Sequence, residues 1–136
     1  MPKSILVVDD NFDDLELMKS ILEMDCFEVS VATNSSDAFE LLKEKHFDLI
    51  LAEIKMAGLS GYDLIRLFKE KTSRNIPVIF VSVVPKKEVD MHCSDGFVQK
   101  PFTEKTLLAE IERVFGNIDL LAEFAEESKT AKKNKK

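Results

Sequence analysis

Five short apolar runs, each followed by a stretch with helical periodicity, constrain the fold of this chain more than any other feature. The runs are Ser4–Asp9, Phe27–Ala32, Phe47–Ala52, Val78–Val83 and Gly96–Gln99. They are too short for buried helices and rich in Val, Ile and Phe, which is typical of strands in a parallel sheet. The alternation therefore predicts an α/β domain with a doubly wound, five-stranded parallel sheet and helices on both faces.

The helical stretches have recognisable ends. We expect Asp13 or Asp14 to cap the first helix and Thr103 the last, because short polar side chains accept hydrogen bonds from free N–H groups there. Gly116 is expected to interrupt the last helix. Pro85–Cys93 has only a weak helical pattern, so the fourth helix is expected to be short or irregular.

Composition restricts the class of protein. The 136 residues suffice for one domain with a proper core, and 45% apolar and 32% charged residues are ordinary for a soluble protein. No apolar run approaches the roughly 20 residues that span a bilayer, and the N-terminus lacks the pattern of a signal peptide. Two cysteines without metal-ligand spacing indicate reduced thiols. These features predict a cytoplasmic protein that does not contact membranes.

Charge is distributed unevenly along the chain. The last eight residues, 129–136, contain five Lys and no acidic residue, so the rest carries 14 basic and 25 acidic residues, a net charge of −11. A body this acidic argues against nucleic-acid binding. The Lys-rich end is expected to be a disordered, solvated tail.

Acidic, hydroxyl and amino side chains stand at the carboxyl ends of four of the predicted strands. Asp9 and Asp10, Glu53, Ser82 and Lys100 stand at strand ends, and in such a fold ligands bind beyond the carboxyl ends of the strands. Paired carboxylates suit Mg²⁺, while a lysine and a hydroxyl can hold phosphoryl oxygens. Each residue alone has an ordinary structural explanation, such as a helix start or a loop charge. Their joint placement predicts a site for a phosphoryl group on a carboxylate.

These motifs resemble the receiver domain of two-component response regulators. The resemblance rests on Val7-Val8-Asp9-Asp10-Asn11, the segment Asp48 to Gly61, Ile76-Pro77-Val78-Ile79 through Ser82, and Lys100-Pro101-Phe102. It runs in order from about residue 3 to about residue 116. It implies a flavodoxin-like sheet with strand order 2-1-3-4-5 and a signalling module rather than an enzyme. It also implies partners among histidine kinases or downstream effectors, and a monomer or weak homodimer.

The resemblance also implies roles for single residues. Asp9 and Asp10 match the metal-binding acids, with the backbone carbonyl of Lys55 as a further metal contact and Mg²⁺ as a weakly bound ion. Glu53 stands at the phospho-acceptor position, where the family has Asp.

A second set of residues matches the family's switch. Ser82 matches the hydroxyl that moves toward the phosphoryl group, and Phe97 the aromatic that then turns inward. Lys100 matches the lysine of the site, and the Lys100-Pro101 bond one that is commonly cis.

Several departures from the family pattern cluster near the site and the expected output face. The Glu53 stem is longer than that of Asp by about 1.5 Å, which misplaces a nucleophile, and its carboxylate is instead expected to engage Lys100 and Ser82. Val83 stands where a small residue is usual and narrows access for a phosphodonor. Ala57 replaces a proline that stiffens the loop.

The chain after the receiver-like part is a further departure. We divide the sequence into a receiver-like domain at 1–116, a helical extension at 117–128 and the tail at 129–136. The extension contains four large apolar residues between Ile118 and Phe124. Their helical spacing favours packing on the body or on a partner over free solvation.

Three functions compete at this point. The first is a signalling module that binds protein partners without phosphorylation at Glu53. The second is a response regulator that is phosphorylated on another carboxylate, with Asp10 as the best candidate. The third is a small Mg²⁺-dependent phosphatase, which is disfavoured because Asn11 breaks the Asp-x-Asp pattern and the chain has no room for a cap that excludes water.

Overall fold

A computed structural model describes residues 2–134 of the chain, with side chains up to Phe124. The elements in chain order are β1 (Ser4–Val8), α1 (Phe12–Met24), β2 (Glu28–Ala32), α2 (Ser35–Glu44), β3 (Leu49–Ala52), α3 (Gly61–Thr72), β4 (Val78–Ser82), β5 (Gly96–Gln99) and α4 (Glu104–Asn134). All five predicted strands are present, with ends that differ by at most two residues.

The strands form one parallel sheet in the order β2-β1-β3-β4-β5, as expected. Because successive side chains of a strand point to opposite faces, the apolar strands supply two cores. One face packs against α2 and α3, and the other against α1 and α4. Within the described residues, no helix is long and apolar enough to cross a lipid bilayer.

The segment between β4 and β5 is irregular, as its weak pattern predicted. It contains two short 3₁₀ turns, Lys86–Glu88 and Met91–Cys93, in place of an α-helix. The Tyr62 hydroxyl of α3 accepts a hydrogen bond of 2.9 Å from the Asp90 N–H, and the Tyr62 ring packs edge-on against Phe80. Tyr62 thus links the segment to α3 and to the sheet.

The first helix starts earlier than predicted. Its cap is Asn11, whose side chain accepts a hydrogen bond of 3.0 Å from the Asp14 N–H. The prediction of Asp13 or Asp14 as the cap was wrong, since the chain turns into the helix immediately after β1. Both aspartates lie in the first turn, where negative charge is favourable.

The last helix is longer than predicted. It is continuous through Gly116, so the expected interruption there was wrong. Thr103 does cap its start, because its hydroxyl accepts from the Thr106 N–H at 3.1 Å. The helix is described as far as Asn134, which lies within the segment expected to be a Lys-rich tail. Residues 135–136 of the predicted tail lie outside the described part.

A helix side chain covers the outer edge of β5. The Glu110 carboxylate of α4 accepts a hydrogen bond of 2.9 Å from the Phe97 N–H and one of 2.5 Å from Arg113. Burial acts to raise the pKa of Glu110, but these hydrogen bonds outweigh it and lower the pKa. Gly96 permits the approach, because a Cβ there would lie 3.0 Å from the same carboxylate.

Gly61, the first residue of α3, packs directly against the backbone at the end of β3. A Cβ at this position would lie 2.3 Å from the carbonyl oxygen of Glu53. The Gly61 N–H also donates to the Ile54 carbonyl at 2.9 Å. Glycine is therefore required here for close approach, and it fixes α3 against the strand that ends in Glu53.

We predict opposite effects for alanine at two glycines. Gly61→Ala should lower the free energy of unfolding by about 1–3 kcal/mol, because the methyl group overpacks a rigid backbone contact. Gly116→Ala, which has nothing within 4 Å, should raise it by about 0.5–1 kcal/mol by favouring the helix. Urea denaturation followed by circular dichroism measures both. Equal effects of the two substitutions would contradict the packing argument.

Candidate functional site

The carboxyl ends of β1, β3 and β5 bring predicted site residues into contact around Lys100. The Lys100 Nζ lies 2.6 Å from Asp9 Oδ2 and 3.1 Å from Glu53 Oε1. The Lys100 side chain is 6% exposed, and those of Asp9 and Glu53 are 0% and 4% exposed. Lys100 directly precedes Pro101, and the bond between them is cis, as the family resemblance implied.

A third carboxylate belongs to this cluster. Asp14 Oδ2 lies 2.9 Å from Lys100 Nζ. Sequence reasoning missed this residue, because it treated Asp14 only as a helix cap. The signal was available: only three residues separate the end of β1 from the start of α1, so an acid in the first turn of α1 lies close to the same edge of the sheet.

The charges of this cluster depend on one another. Burial raises the pKa of the Asp9 carboxyl above its ordinary value, although hydrogen bonds from Lys100 and the Asn11 N–H act in the opposite direction. Burial alone would lower the pKa of Lys100, but the hydrogen bonds to Asp9 and Asp14 outweigh it and raise the pKa. Lys100 therefore stays protonated at neutral pH and places a positive charge between the buried carboxylates.

Backbone N–H groups hold the Glu53 carboxylate from the other side. Its Oε2 accepts from the N–H groups of Ile54 at 2.6 Å and Lys55 at 3.3 Å, and its Oε1 accepts from the Val83 N–H at 3.3 Å. Three N–H groups and one ammonium thus converge on a single carboxylate. This is the donor arrangement that stabilises an anion.

Ser82 lies beside Glu53 but is not among its hydrogen-bond partners. The Ser82 hydroxyl is buried and accepts a hydrogen bond of 3.1 Å from the Val84 N–H. The expectation that Glu53 engages Ser82 was wrong: Glu53 Oε1 accepts its hydrogen bond from the backbone N–H of the next residue, Val83. The Val83 side chain is exposed at the rim.

The remaining predicted residues lie close to the cluster. Asp10 is exposed, and its Oδ2 accepts a hydrogen bond of 3.1 Å from the Ala57 N–H, which fixes the loop after β3. Lys55 is exposed and contacts Glu53 through its own N–H. Phe97 is 8% exposed and lies opposite Phe80 in the sheet register, within the core on the α2 and α3 face.

Comparison with known proteins identifies the family. Residues 5–112 match the family model described as the response regulator receiver domain. The chain belongs to this family. The receiver domain therefore accounts for the sheet, the carboxyl-edge cluster and most of the chain.

Individual relatives agree with this assignment. The receiver domain is 34% identical over 116 residues to the nisin biosynthesis regulatory protein NisR of Lactococcus lactis, covering 82% of this chain but 50% of NisR. It is 28% identical over 122 residues to the polar-differentiation response regulator DivK of Brucella anthropi, covering 86% of this chain and 99% of DivK. The chain thus spans half the length of NisR and nearly all of DivK.

Solved structures agree with the fold. The response regulator TrrA of Thermotoga maritima, determined in complex with Mg²⁺-BeF, superposes with a TM-score of 0.74 at 25% identity, covering 82% of this chain and 98% of TrrA. The chemotaxis protein CheY4 of Vibrio cholerae gives a TM-score of 0.77 at 22% identity, covering 84% and 99% of the two chains. The second likeness shows the fold alone.

Removing the Lys100 charge should be costly. We expect Lys100→Met to lower the free energy of unfolding at pH 7 by about 3–5 kcal/mol, because Asp9 and Glu53 would be buried without a cation. Lys100→Met should regain part of its lost free energy of unfolding as the pH falls. The pKa of Asp9 is already raised in the folded state, so the folded state then binds more protons than the unfolded state.

Urea denaturation between pH 7 and pH 4.5 checks this prediction. Lys43→Met is the matched control, because Lys43 makes an exposed ion pair of 2.9 Å with Glu40. The control should change stability by less than about 1 kcal/mol at both pH values. A Lys100→Met variant that loses stability further on acidification would contradict the proposed charge balance.

Proposed function

We propose that this receiver domain signals by binding a protein partner in a state that does not depend on phosphorylation at Glu53. The observation that carries the proposal is the ion pair of Glu53 with Lys100, completed by three backbone N–H groups. These donors are the kind that hold phosphoryl oxygens. Glu53 supplies an anion to them from within the chain, with one negative charge where a phosphoryl group would bring about two.

The length of the Glu53 side chain supports the same proposal. A glutamate in place of aspartate moves the carboxylate by about 1.5 Å, and small displacements of a nucleophile can cost ~100-fold in rate. The carboxylate oxygens also point at N–H groups of Ile54 and Val83, so phosphoryl transfer would have to break these contacts. Phosphorylation of Glu53 is therefore disfavoured for two reasons: its longer side chain displaces the carboxylate, and that carboxylate already accepts hydrogen bonds.

The inward position of Phe97 fits a single, fixed state. In receiver domains, the aromatic at this position turns inward when the neighbouring hydroxyl moves. Here the Phe97 side chain is already buried against the core, and the Ser82 hydroxyl accepts a hydrogen bond from the Val84 N–H. We infer that the switch residues do not require a phosphoryl group to adopt this arrangement.

A binding role follows from the surfaces near the switch. A cleft of about 620 Å³ lies between β5 and α4, and Phe97, Gln99 and Glu110 are among its lining residues. Lys86, the first residue of the 3₁₀ turn Lys86–Glu88, also lines this cleft, so the irregular segment after β4 contributes to its wall. The partner we propose is a histidine kinase or a downstream effector protein. The acidic body disfavours nucleic acid, and we propose no catalytic activity.

Mg²⁺ is the ion that the site residues suit. Asp9 and Asp10 are adjacent carboxylates at the end of β1, and the Lys55 carbonyl is the further ligand implied by the family. Mg²⁺ is commonly bound by one or two carboxylates and several waters. Asp9 already bonds to Lys100 and the Asn11 N–H, and no group of three metal-ligating side chains occurs among the described residues. We therefore propose weak binding.

The metal proposal is tested by neutralising the exposed carboxylate. Asp10→Asn should abolish Mg²⁺ binding, measured by titration calorimetry or by amide chemical shifts of residues 53–57. Asp13→Asn is the matched control, since Asp13 is an exposed acid in the first turn of α1. Unchanged Mg²⁺ affinity in Asp10→Asn would show that the assigned ligand is wrong.

The phosphorylation proposal is tested with a small-molecule phosphodonor and intact-mass measurement. The wild type should gain no phosphoryl group. Glu53→Asp should be labelled only slightly, since Val83 still restricts the pocket mouth. Glu53→Asp combined with Val83→Ala should be labelled several-fold more. Full labelling of Glu53→Asp alone would contradict the role given to Val83.

Peptide mapping of the same samples distinguishes the alternative. Stoichiometric labelling of wild-type Asp10 that creates or abolishes partner binding would favour a response regulator phosphorylated at that carboxylate. Labelling of wild-type Glu53 with the same effect would overturn the proposal directly. Partner affinity that is equal with and without phosphodonor would support it.

A further inference from the structure

The C-terminal helix continues past the body of the domain. Its last core residue is Val114, and Phe115 packs beside Phe27 with a ring separation of 6.1 Å. After that point the large apolar side chains are exposed. They are Ile118 at 37%, Leu120 at 65%, Leu121 at 70% and Phe124 at 68%.

The part of α4 beyond the body lacks the packing that stabilises most helices in proteins. The part from Gly116 to the end of α4 is about 28 Å long at ~1.5 Å per residue. Helices of this length gain most of their stability from tertiary packing of an apolar face, not from propensity. Phe124 follows Leu121 by three residues and Leu120 by four, so both leucines neighbour Phe124 on the helix surface. The three side chains therefore share one side of the helix. This side has no cover within the described part of the chain.

The distribution of charge along the chain indicates what covers the exposed apolar side of the α4 extension. Residues 114–128 contain four acids and no base, whereas residues 129–136 contain five Lys and no acid. The chain before residue 129 carries a net charge of −11. Parallel association of two such helices would place the Lys-rich ends side by side. Antiparallel association directs each Lys-rich end toward the acidic body of the other copy.

We propose that the extension of α4 is a homodimerisation element, in which two copies pair antiparallel through Leu120, Leu121 and Phe124. The pairing is isologous, so the same residues meet from both sides. One short helix pair buries less surface than a standard stable interface, so the dimer is weak and concentration-dependent. This proposal is independent of the state of Glu53.

Sedimentation velocity of the full chain over a range of micromolar concentrations tests the proposal. The wild type should shift from monomer to dimer as its concentration rises. Leu121→Glu and Phe124→Glu should each raise the dimer dissociation constant by about 30-fold or more, as for a central hot-spot residue. Leu17→Glu is the matched control, because Leu17 is an exposed apolar residue of α1. It should leave the dimer unchanged.

The orientation is tested separately. Replacing Lys129, Lys132 and Lys133 with Glu should weaken the dimer at low salt, and the difference should shrink at high salt. In a mixture of ¹⁴N- and ¹⁵N-labelled protein, carbodiimide cross-links should join the Lys-rich end of one copy to acids that precede Phe124 in the other.

Three results would overturn the proposal. The first is a wild type that stays monomeric at every concentration. The second is a dimer that persists in Leu121→Glu and Phe124→Glu while circular dichroism shows that both variants are folded. The third is a dimer that Leu17→Glu disrupts as strongly as these two substitutions do. Mixed-isotope cross-links confined to residues after Phe124, or no effect of the Lys replacements, would overturn the antiparallel orientation.

Discussion

The ammonium group of Lys100 is the interaction on which the rest of the site depends. The parallel sheet brings the ends of β1, β3 and β5 together, and with them Asp9 and Glu53, which are almost fully buried. Two buried carboxylates would repel each other strongly without a cation between them. Lys100 lies within 3.1 Å of both and also contacts Asp14. The sheet topology brings these negative charges together, and the ammonium group of Lys100, at the end of β5, offsets their repulsion.

The position of Glu53 gives the site its particular character. Its N–H donates to the Val8 carbonyl at 2.9 Å, and its own carbonyl packs against Gly61, so its backbone is held by β1 and α3 together. The side chain then reaches N–H groups on two different strand ends. A residue fixed at so many points responds little to its surroundings. This rigidity is the physical basis for proposing a binding module in place of a phosphorylation switch.

The fold followed from the sequence because each strand is a short apolar run with polar flanks, and five such runs allow few architectures. The meeting of Asp9, Glu53 and Lys100 at one edge also followed, since strand ends converge in a parallel sheet. What the sequence did not reveal were contacts that depend on backbone direction. The Val83 N–H replaced Ser82 as the partner of Glu53, and Asp14 joined Lys100 because Asn11 capped the helix earlier than expected. The sequence also did not reveal that α4 continues through Gly116, because glycine in a helical pattern usually marks a helix end.

The contact of Glu110 with the Phe97 N–H also restricts how any partner can dock. An edge strand with free N–H groups invites another chain to extend the sheet, both in specific recognition and in aggregation. Here a carboxylate from α4 takes the N–H at the start of β5, and Arg113 takes the Asp95 carbonyl just before it. Backbone pairing at this edge would have to expel both side chains. A protein that docked at the start of β5 would therefore have to bind through side chains, and its affinity would depend on its sequence.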